Sequence, residues 1–150
     1  MKNINNGPLA SIIITNFNKS NFLLDAVKSC FKQNYKKKEI IFFDDNSTDN
    51  SLEKIKKFKK KNKLKFKIIS NSKKKRNFAT FNHIDAVKKG LTEAKGKYIF
   101  LLDSDDYFHK NKILEIINIF KKNKKNQFIL DQPILKYKKK EVKKNFSFKL

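Results

Sequence analysis

The chain has 150 residues, 39% of them hydrophobic and 15 of them Phe, which is enough for one domain with a packed core. A single cysteine, Cys30, excludes an intrachain disulfide and fits a reducing compartment. No stretch approaches the ~20 apolar residues of a membrane span, and the polar opening MKNINNGPLA does not read as a signal peptide.

The formal charge is +23 and the pI is near 10. Of the 37 basic residues only Arg76 is arginine. Base readout and bidentate phosphate contacts favour the guanidinium fork, so this charge argues against a sequence-reading nucleic-acid protein. Lysine rises here together with Asn, Ile and Phe, as AT-rich codons would produce on solvated surfaces. An attraction to anionic lipid or to nucleotides is compatible with the charge.

Along the chain, LASIIIT (9–15) is a short, nearly continuous apolar run that ends in polar residues, the pattern of a buried parallel strand. After the loop NFNKS, the residues Phe22, Leu23, Ala26, Val27, Cys30 and Phe31 share one helical face, with Ser20 or Asn21 as the expected cap. EIIFFDD (39–45) is a second buried strand, ending in two acids. NSTDNS then supplies turn and cap chemistry before a helix marked by Leu52, Ile55 and Phe58. LKFKIIS (64–70) is a third strand and NSKKKRN a basic loop. Phe81, Ile84, Val87, Leu91 and Ala94 recur at helical spacing, and Gly96 is the expected stop. KYIFLLD (97–103) is a fourth strand. Ile113, Leu114, Ile117 and Phe120 mark a fourth helix, and FILDQPIL (128–135) is a candidate fifth strand.

Strand and helix thus alternate four times, which predicts an α/β fold with a mostly parallel sheet flanked by helices on both faces. In such open sheets ligands bind outside the carboxyl ends of the strands. Three polar clusters fall there: TNFN, DDNSTD and DSDD. The last places Asp103, Asp105 and Asp106 within four positions. One aspartate is explained by helix capping. Three are not, because like charges raise each other's pKa unless a cation sits among them. Oxygen-only ligands suit a hard divalent ion, Mg²⁺ or Mn²⁺.

In their order and spacing, SIIITNFN, EIIFFDDNSTD and GKYIFLLDSDD resemble the N-terminal half of the family 2 glycosyltransferases, over about residues 9–120. The resemblance implies a GT-A (Rossmann-like) nucleotide-sugar-binding domain over 9–135. A tail, 1–8, precedes it, and a basic segment, 136–150, follows as an incomplete strand region. It implies that Thr15 and Phe17 line the uridine site, that Asn18 is among the nucleotide-sugar-binding residues, and that Asp45 binds the uracil ring. It implies that Asp103 and Asp105 hold the nucleotide sugar, with Asp105 and Asp106 as alternative ligands of Mn²⁺ or Mg²⁺. The implied reaction is inverting, metal-dependent transfer from a UDP-linked sugar to the hydroxyl of a saccharide, lipid-linked or protein acceptor in cell-envelope polysaccharide synthesis. It implies a cytoplasmic protein, peripheral at an anionic membrane face, with no specific nucleic acid as partner.

The chain departs from the pattern in places. Val87, Lys88 and Lys89 stand before Gly90 where the family often has arginine or asparagine, leaving Lys88 or Arg76 as the substitute charge. Lys110 replaces a common proline. The family's base and acceptor segments lie beyond residue 150, so the sequence implies the donor-binding half alone. Asp131 is the candidate base, and Glu141 is the other acid after Glu115. His83 reads as a surface position and His109 as a loop residue. A receiver domain or a haloacid-dehalogenase-type phosphatase would need its acids after the first strand, and a dinucleotide-binding domain would need a glycine-rich first turn. The non-enzyme alternative is a basic module that binds nucleic acid or another anionic surface, with salt-dependent and metal-independent binding.

Overall fold

The structure, a computed structural model, describes residues 7–71, 79–123, 125, 129, 134–137 and 140–143. The chain divides into two compact units, residues 1–117 and 118–150.

The first unit is built on a four-stranded parallel sheet: β1 (Ala10–Asn16), β2 (Lys38–Asp44), β3 (Lys67–Ser70) and β4 (Tyr98–Asp103). Their order across the sheet is β3-β2-β1-β4, so β1 is central and β4 reaches its other side by a crossover. The helices are α1 (Leu23–Phe31), α2 (Ser51–Lys61), α3 (Ala79–Glu93) and α4 (Lys112–Lys122), the last of which runs across the boundary of the units. The four expected strands and four expected helices are all present, with ends shifted by a few residues.

Residue parity sorts the sheet's two faces. Ile12, Ile14, Ile40, Phe42, Phe100 and Leu102 point to one face. There they form a single core with Leu23, Ala26, Val27 and Cys30 of α1, Ile55 of α2, and Ile113 and Ile117 of α4. Ile13, Ile41 and Phe43, fully or almost fully buried, point to the other face, which α3 covers. Gly90 lets α3 approach, since a Cβ there would sit 2.4 Å from Ile13 Cγ2. The helix covers β1 and β2 but leaves Ile99 and Leu101 of β4 exposed, along with its own Ile84 and Leu91. Cys30 is a small core residue whose thiol burial pushes up to about 12.

Three local expectations are corrected. Helix α1 is capped by neither Ser20 nor Asn21: its N-cap is Phe22, with no side-chain cap. The Lys19 carbonyl takes the N–H groups of Phe22 and Leu23 at 3.0 Å each, and the Ser20 N–H donates to Asp49 Oδ2 at 3.0 Å. Gly96 is not a left-handed helix stop, since no glycine has positive φ and α3 ends at Glu93. Its missing side chain serves a close approach, because a Cβ would lie 2.5 Å from the Ser11 backbone nitrogen. Of the expected fifth strand at 128–135, Ile129 lies outside a strand, while Ile134 and Leu135 belong to one. In the second unit, β5 (Ile134–Tyr137) pairs antiparallel with β6 (Lys140–Lys143) in a separate two-stranded sheet. The candidate base Asp131, and Arg76, lie outside the described residues.

Candidate functional site

The loops leaving β2, β3 and β4 begin by extending the sheet's ladder by one bond each. The Asp45 N–H donates to the Asn16 carbonyl at 2.8 Å, Asn71 N–H to Asp44 O at 2.8 Å, and Ser104 N–H to Thr15 O at 3.0 Å. The polar residues at the strand ends are therefore held in register, and parity again sends them to two sides.

On the α1/α2 side, Asp44 is fully buried. It accepts from Asn16 Nδ2 at 2.8 Å, from Ser47 Oγ at 2.6 Å and from Ser47 N–H at 3.0 Å. These bonds make Asp44 a brace. Asn18 (φ 52°) and Asn46 (φ 56°) adopt the left-handed conformation that asparagine tolerates. This turns the Asn18 side-chain carbonyl toward the next loop, where it accepts from Thr48 N–H at 2.7 Å and Asp49 N–H at 3.3 Å. Asp49 in turn accepts from Ser51 N–H at 2.9 Å. Its burial would raise its pKa, but the bonds from Ser51 and Ser20 win and hold it below the usual carboxylate value. Asn16 Oδ1 and Ser51 Oγ are buried without a partner among the described residues.

On the α3 side stand Thr15, Asp45 and Asp103. Thr15, 8% exposed, donates from Oγ1 to Asp103 Oδ1 at 2.6 Å. His83 of α3 brings Nδ1 to 3.8 Å from the same oxygen. Asp45, 7% exposed, accepts from Asn71 Nδ2 at 2.9 Å, and Lys89 Nζ donates to Asn71 Oδ1 at 2.8 Å. Lys89 also lies 5.6 Å from the centre of the Phe43 ring. Lys89 thus places positive charge behind Asp45, and its neighbour Lys88 is exposed. Phe17 is 43% exposed at the rim.

The acid loop after β4 runs back along α1. Phe108 N–H donates to Ser29 Oγ at 3.0 Å, and buried Gln33 both donates to the His109 carbonyl at 2.8 Å and accepts from Ile113 N–H at 3.2 Å. His109 pairs with Glu115 at 3.3 Å and so is engaged away from Asp103 to Asp106. At the loop's start, Lys19 Nζ sits 2.6 Å from Asp105 Oδ2. That bond holds Asp105 below the usual carboxylate range and raises the Lys19 ammonium. Asp106 is pushed up, first by partial burial and then by the charges of Asp105 and Asp103. Among the described residues no group of three His, Cys, Asp or Glu side chains converges as a metal cage.

The structure thus brings Thr15, Asp45 and Asp103 to one side of the carboxyl edge, with Phe17 exposed and Asp105 and Asp106 on the adjoining loop. Asn18 is engaged with the neighbouring loop instead. Sequence reasoning missed Asp44 as the brace, the Lys89–Asn71–Asp45 chain, Lys19 on Asp105 and His83 beside Asp103. Strand parity was the available signal for separating Asp44 from Asp45. Nothing local in the sequence announced the other contacts.

The model of glycosyl transferase family 2 matches residues 11–147. Among curated relatives, an uncharacterized glycosyltransferase of Haemophilus influenzae is 35% identical over 120 residues, 79% of this chain and 44% of that protein. A poly-beta-1,6-N-acetyl-D-glucosamine synthase of Staphylococcus epidermidis is 30% identical over 128 residues, 85% of this chain and 29% of that protein. The chain spans less than half the length of these relatives. Among solved structures, S. aureus TarS 1-349 in complex with UDP-GlcNAc superposes with a TM-score of 0.62 at 23% identity, over 77% of this chain and 32% of that one. The mannosyltransferase PcManGT from Pyrobaculum calidifontis, in complex with GDP-Man and Mn²⁺, gives 0.60 at 19% identity, over 71% and 30%.

Proposed function

The chain belongs to glycosyl transferase family 2 and has its GT-A fold, and on that premise we propose that the carboxyl edge of its sheet binds the donor of an inverting sugar transfer, a UDP-linked sugar. The observation that carries the proposal is the side-chain set Thr15–Asp103 and Lys89–Asn71–Asp45, held on one side of that edge. These polar groups are ordered by one another before any ligand arrives, so little reorganisation is needed on binding.

Asp45 is the base reader. Its carboxylate keeps accepting capacity beyond the Asn71 bond, and uracil offers an imide N–H where cytosine has none. Phe17, exposed at the rim, supplies a surface for the base. Thr15 and Asp103 face the ribose. Asn18 contributes by fixing the loop that carries Phe17.

The acid loop fits a hard divalent ion shared with the diphosphate. Its donors are carboxylate oxygens, and the absence of a three-ligand cage among the described residues suits Mg²⁺ or Mn²⁺, which keep water and phosphate as ligands beside one or two carboxylates. Asp105 and Asp106 would hold it. When bound, it neutralises charge on the leaving diphosphate as a Lewis acid. An acceptor hydroxyl, deprotonated by a general base, attacks the anomeric carbon from the side opposite the leaving group. Asp131 is the base candidate within this sequence. The similar structures holding UDP-GlcNAc, and GDP-Man with Mn²⁺, support a nucleotide-sugar donor and a divalent ion. The relative that makes poly-N-acetylglucosamine supports a saccharide acceptor.

Among the described residues no helix is long and apolar enough to cross a membrane. The lysines on the opposite end of the sheet support peripheral attachment to an anionic membrane face on the cytoplasmic side.

Calorimetry of UDP and UDP-sugars with and without Mn²⁺ tests the donor site. The expected result is binding that strengthens with Mn²⁺ and weakens in Asp105→Ala/Asp106→Ala. Binding of equal strength in both conditions, or unaffected by the double substitution, contradicts it.

A further inference from the structure

Lys19 lies in none of the roles assigned above, yet it is the lysine seated among the acids. Its backbone is fixed: the Lys19 carbonyl accepts two N–H bonds from the start of α1, and the next residue is tied through Ser20 N–H to Asp49 and through the Ser20 carbonyl to Lys54 Nζ at 2.6 Å. From this anchored stem the ammonium crosses to the loop after β4 and meets Asp105 Oδ2 at 2.6 Å, with Asp103 and Asp106 nearby. Both partners are about two-fifths exposed, 43% and 40%. Such a half-solvated pair is weak and is readily exchanged.

We infer that Lys19 is a displaceable resident cation that makes divalent-metal binding depend on the diphosphate. This rests on the donor-site reading above. Without diphosphate, a metal ion must take Asp105 from the ammonium and then sit beside it, in a loop that offers no three-ligand cage among the described residues. Bare metal therefore binds poorly. A nucleoside diphosphate changes the balance. The lysine stem is flexible and its ammonium is a compact point charge, so it can turn from Asp105 to a phosphate oxygen. Asp105 is then free for the metal, and the phosphates supply the remaining ligands. Each ligand makes room for the other. By linkage, UDP must raise the affinity for Mn²⁺ by the same factor by which Mn²⁺ raises that for UDP.

The test is Mn²⁺ binding without turnover, read by electron paramagnetic resonance of free Mn²⁺, alone and with saturating UDP. Wild type, Lys19→Ala and Lys19→Arg are compared, with circular dichroism as the control for folding. In Lys19→Ala, Mn²⁺ alone is expected to bind about two- to fivefold tighter, the worth of an exposed ion pair. The enhancement by UDP is expected to shrink by at least that factor, because the variant has also lost a phosphate contact. Lys19→Arg keeps the charge and should keep most of the coupling. Unchanged or weaker binding of Mn²⁺ alone in Lys19→Ala, with the enhancement intact, overturns the role of Lys19 while leaving the donor site standing. A wild-type chain that binds no UDP with or without Mn²⁺ overturns the donor-site reading and this inference with it.

Discussion

The two ends of the parallel sheet carry opposite chemistry. At the carboxyl end, Thr15, Asn16, Asp44, Asp45 and Ser104 are all less than a tenth exposed, and polar side chains from three strands bond to one another. At the amino end, the connections 32–38, 59–67 and 94–97 carry lysine at half or more of their positions. The groove of about 260 Å³ there is lined by Lys38, Glu39, Lys65, Phe66, Lys67 and Lys95. Its acids are already engaged, Glu39 by Ser11 Oγ at 2.5 Å and Lys95 N–H at 2.7 Å, and Glu93 by Lys67. Helix polarity favours this division, since anions suit helix N-termini and cations suit C-termini such as the lysine-rich last turn of α2. The difference teaches that the +23 charge is a poor guide to the site. A few buried, mutually bonded acids carry more information than many solvated lysines.

The contrast can be broken by substitution. The largest expected effect is at Asp44. Asp44→Ala leaves Ser47 and Asn16 donors short of a buried acceptor, at about 1–3 kcal/mol for each unpaired group. Urea unfolding should show a loss of about 3 kcal/mol, and an unchanged midpoint would mean that the brace is not one. Next comes Asp45→Ala, which should weaken UDP roughly tenfold, the worth of one lost buried bond, while leaving pyrophosphate affinity where it was. Competition titrations separate the two, and equal losses for both ligands would remove the base-reading role.

Acid titration sharpens the same comparison. Because the folded chain holds Asp49 below its ordinary value, its stabilisation is present above the unfolded pKa of about 3.9 and fades as pH falls through the lower folded value. Asp49→Asn should flatten stability against pH below about pH 4, whereas an unaltered acid limb would assign that limb to other carboxylates. The smallest effect is expected at the amino end. Glu93→Gln removes an exposed partner of Lys67 and should shift stability by less than about 0.5 kcal/mol, with no change in UDP affinity.

Much of the fold was legible because the apolar runs were short, continuous and separated by helical spacing. SIIIT and IIFF read as strands buried on both faces, and YIFLL as a strand as well, though Ile99 and Leu101 leave its second face exposed. The DD at 44–45 shows where legibility stopped. Parity would have sent Asp44 inward beside Asn16 and Asp45 toward α3, but the two letters look alike without the sheet. Lys19 and Asp105 are 86 positions apart (105 − 19), and Lys89 reaches Asn71 across a crossover. Such pairings depend on the strand order β3-β2-β1-β4, which local pattern does not encode. The expected stop at Gly96 failed for a related reason: the glycine answers to a neighbouring strand, Ser11, rather than to its own helix.

The most direct test of the account is a map of where nucleotide touches the chain. With isotopically labelled protein, UDP and Mg²⁺, amide chemical-shift changes should concentrate at residues 15–19, 44–48 and 103–106. The lysine-rich segments 32–38, 59–67 and 94–97 should stay still. Shifts centred on those lysine segments, or spread evenly over both ends and abolished by modest salt, would show a diffuse electrostatic association and contradict a donor site at the carboxyl edge.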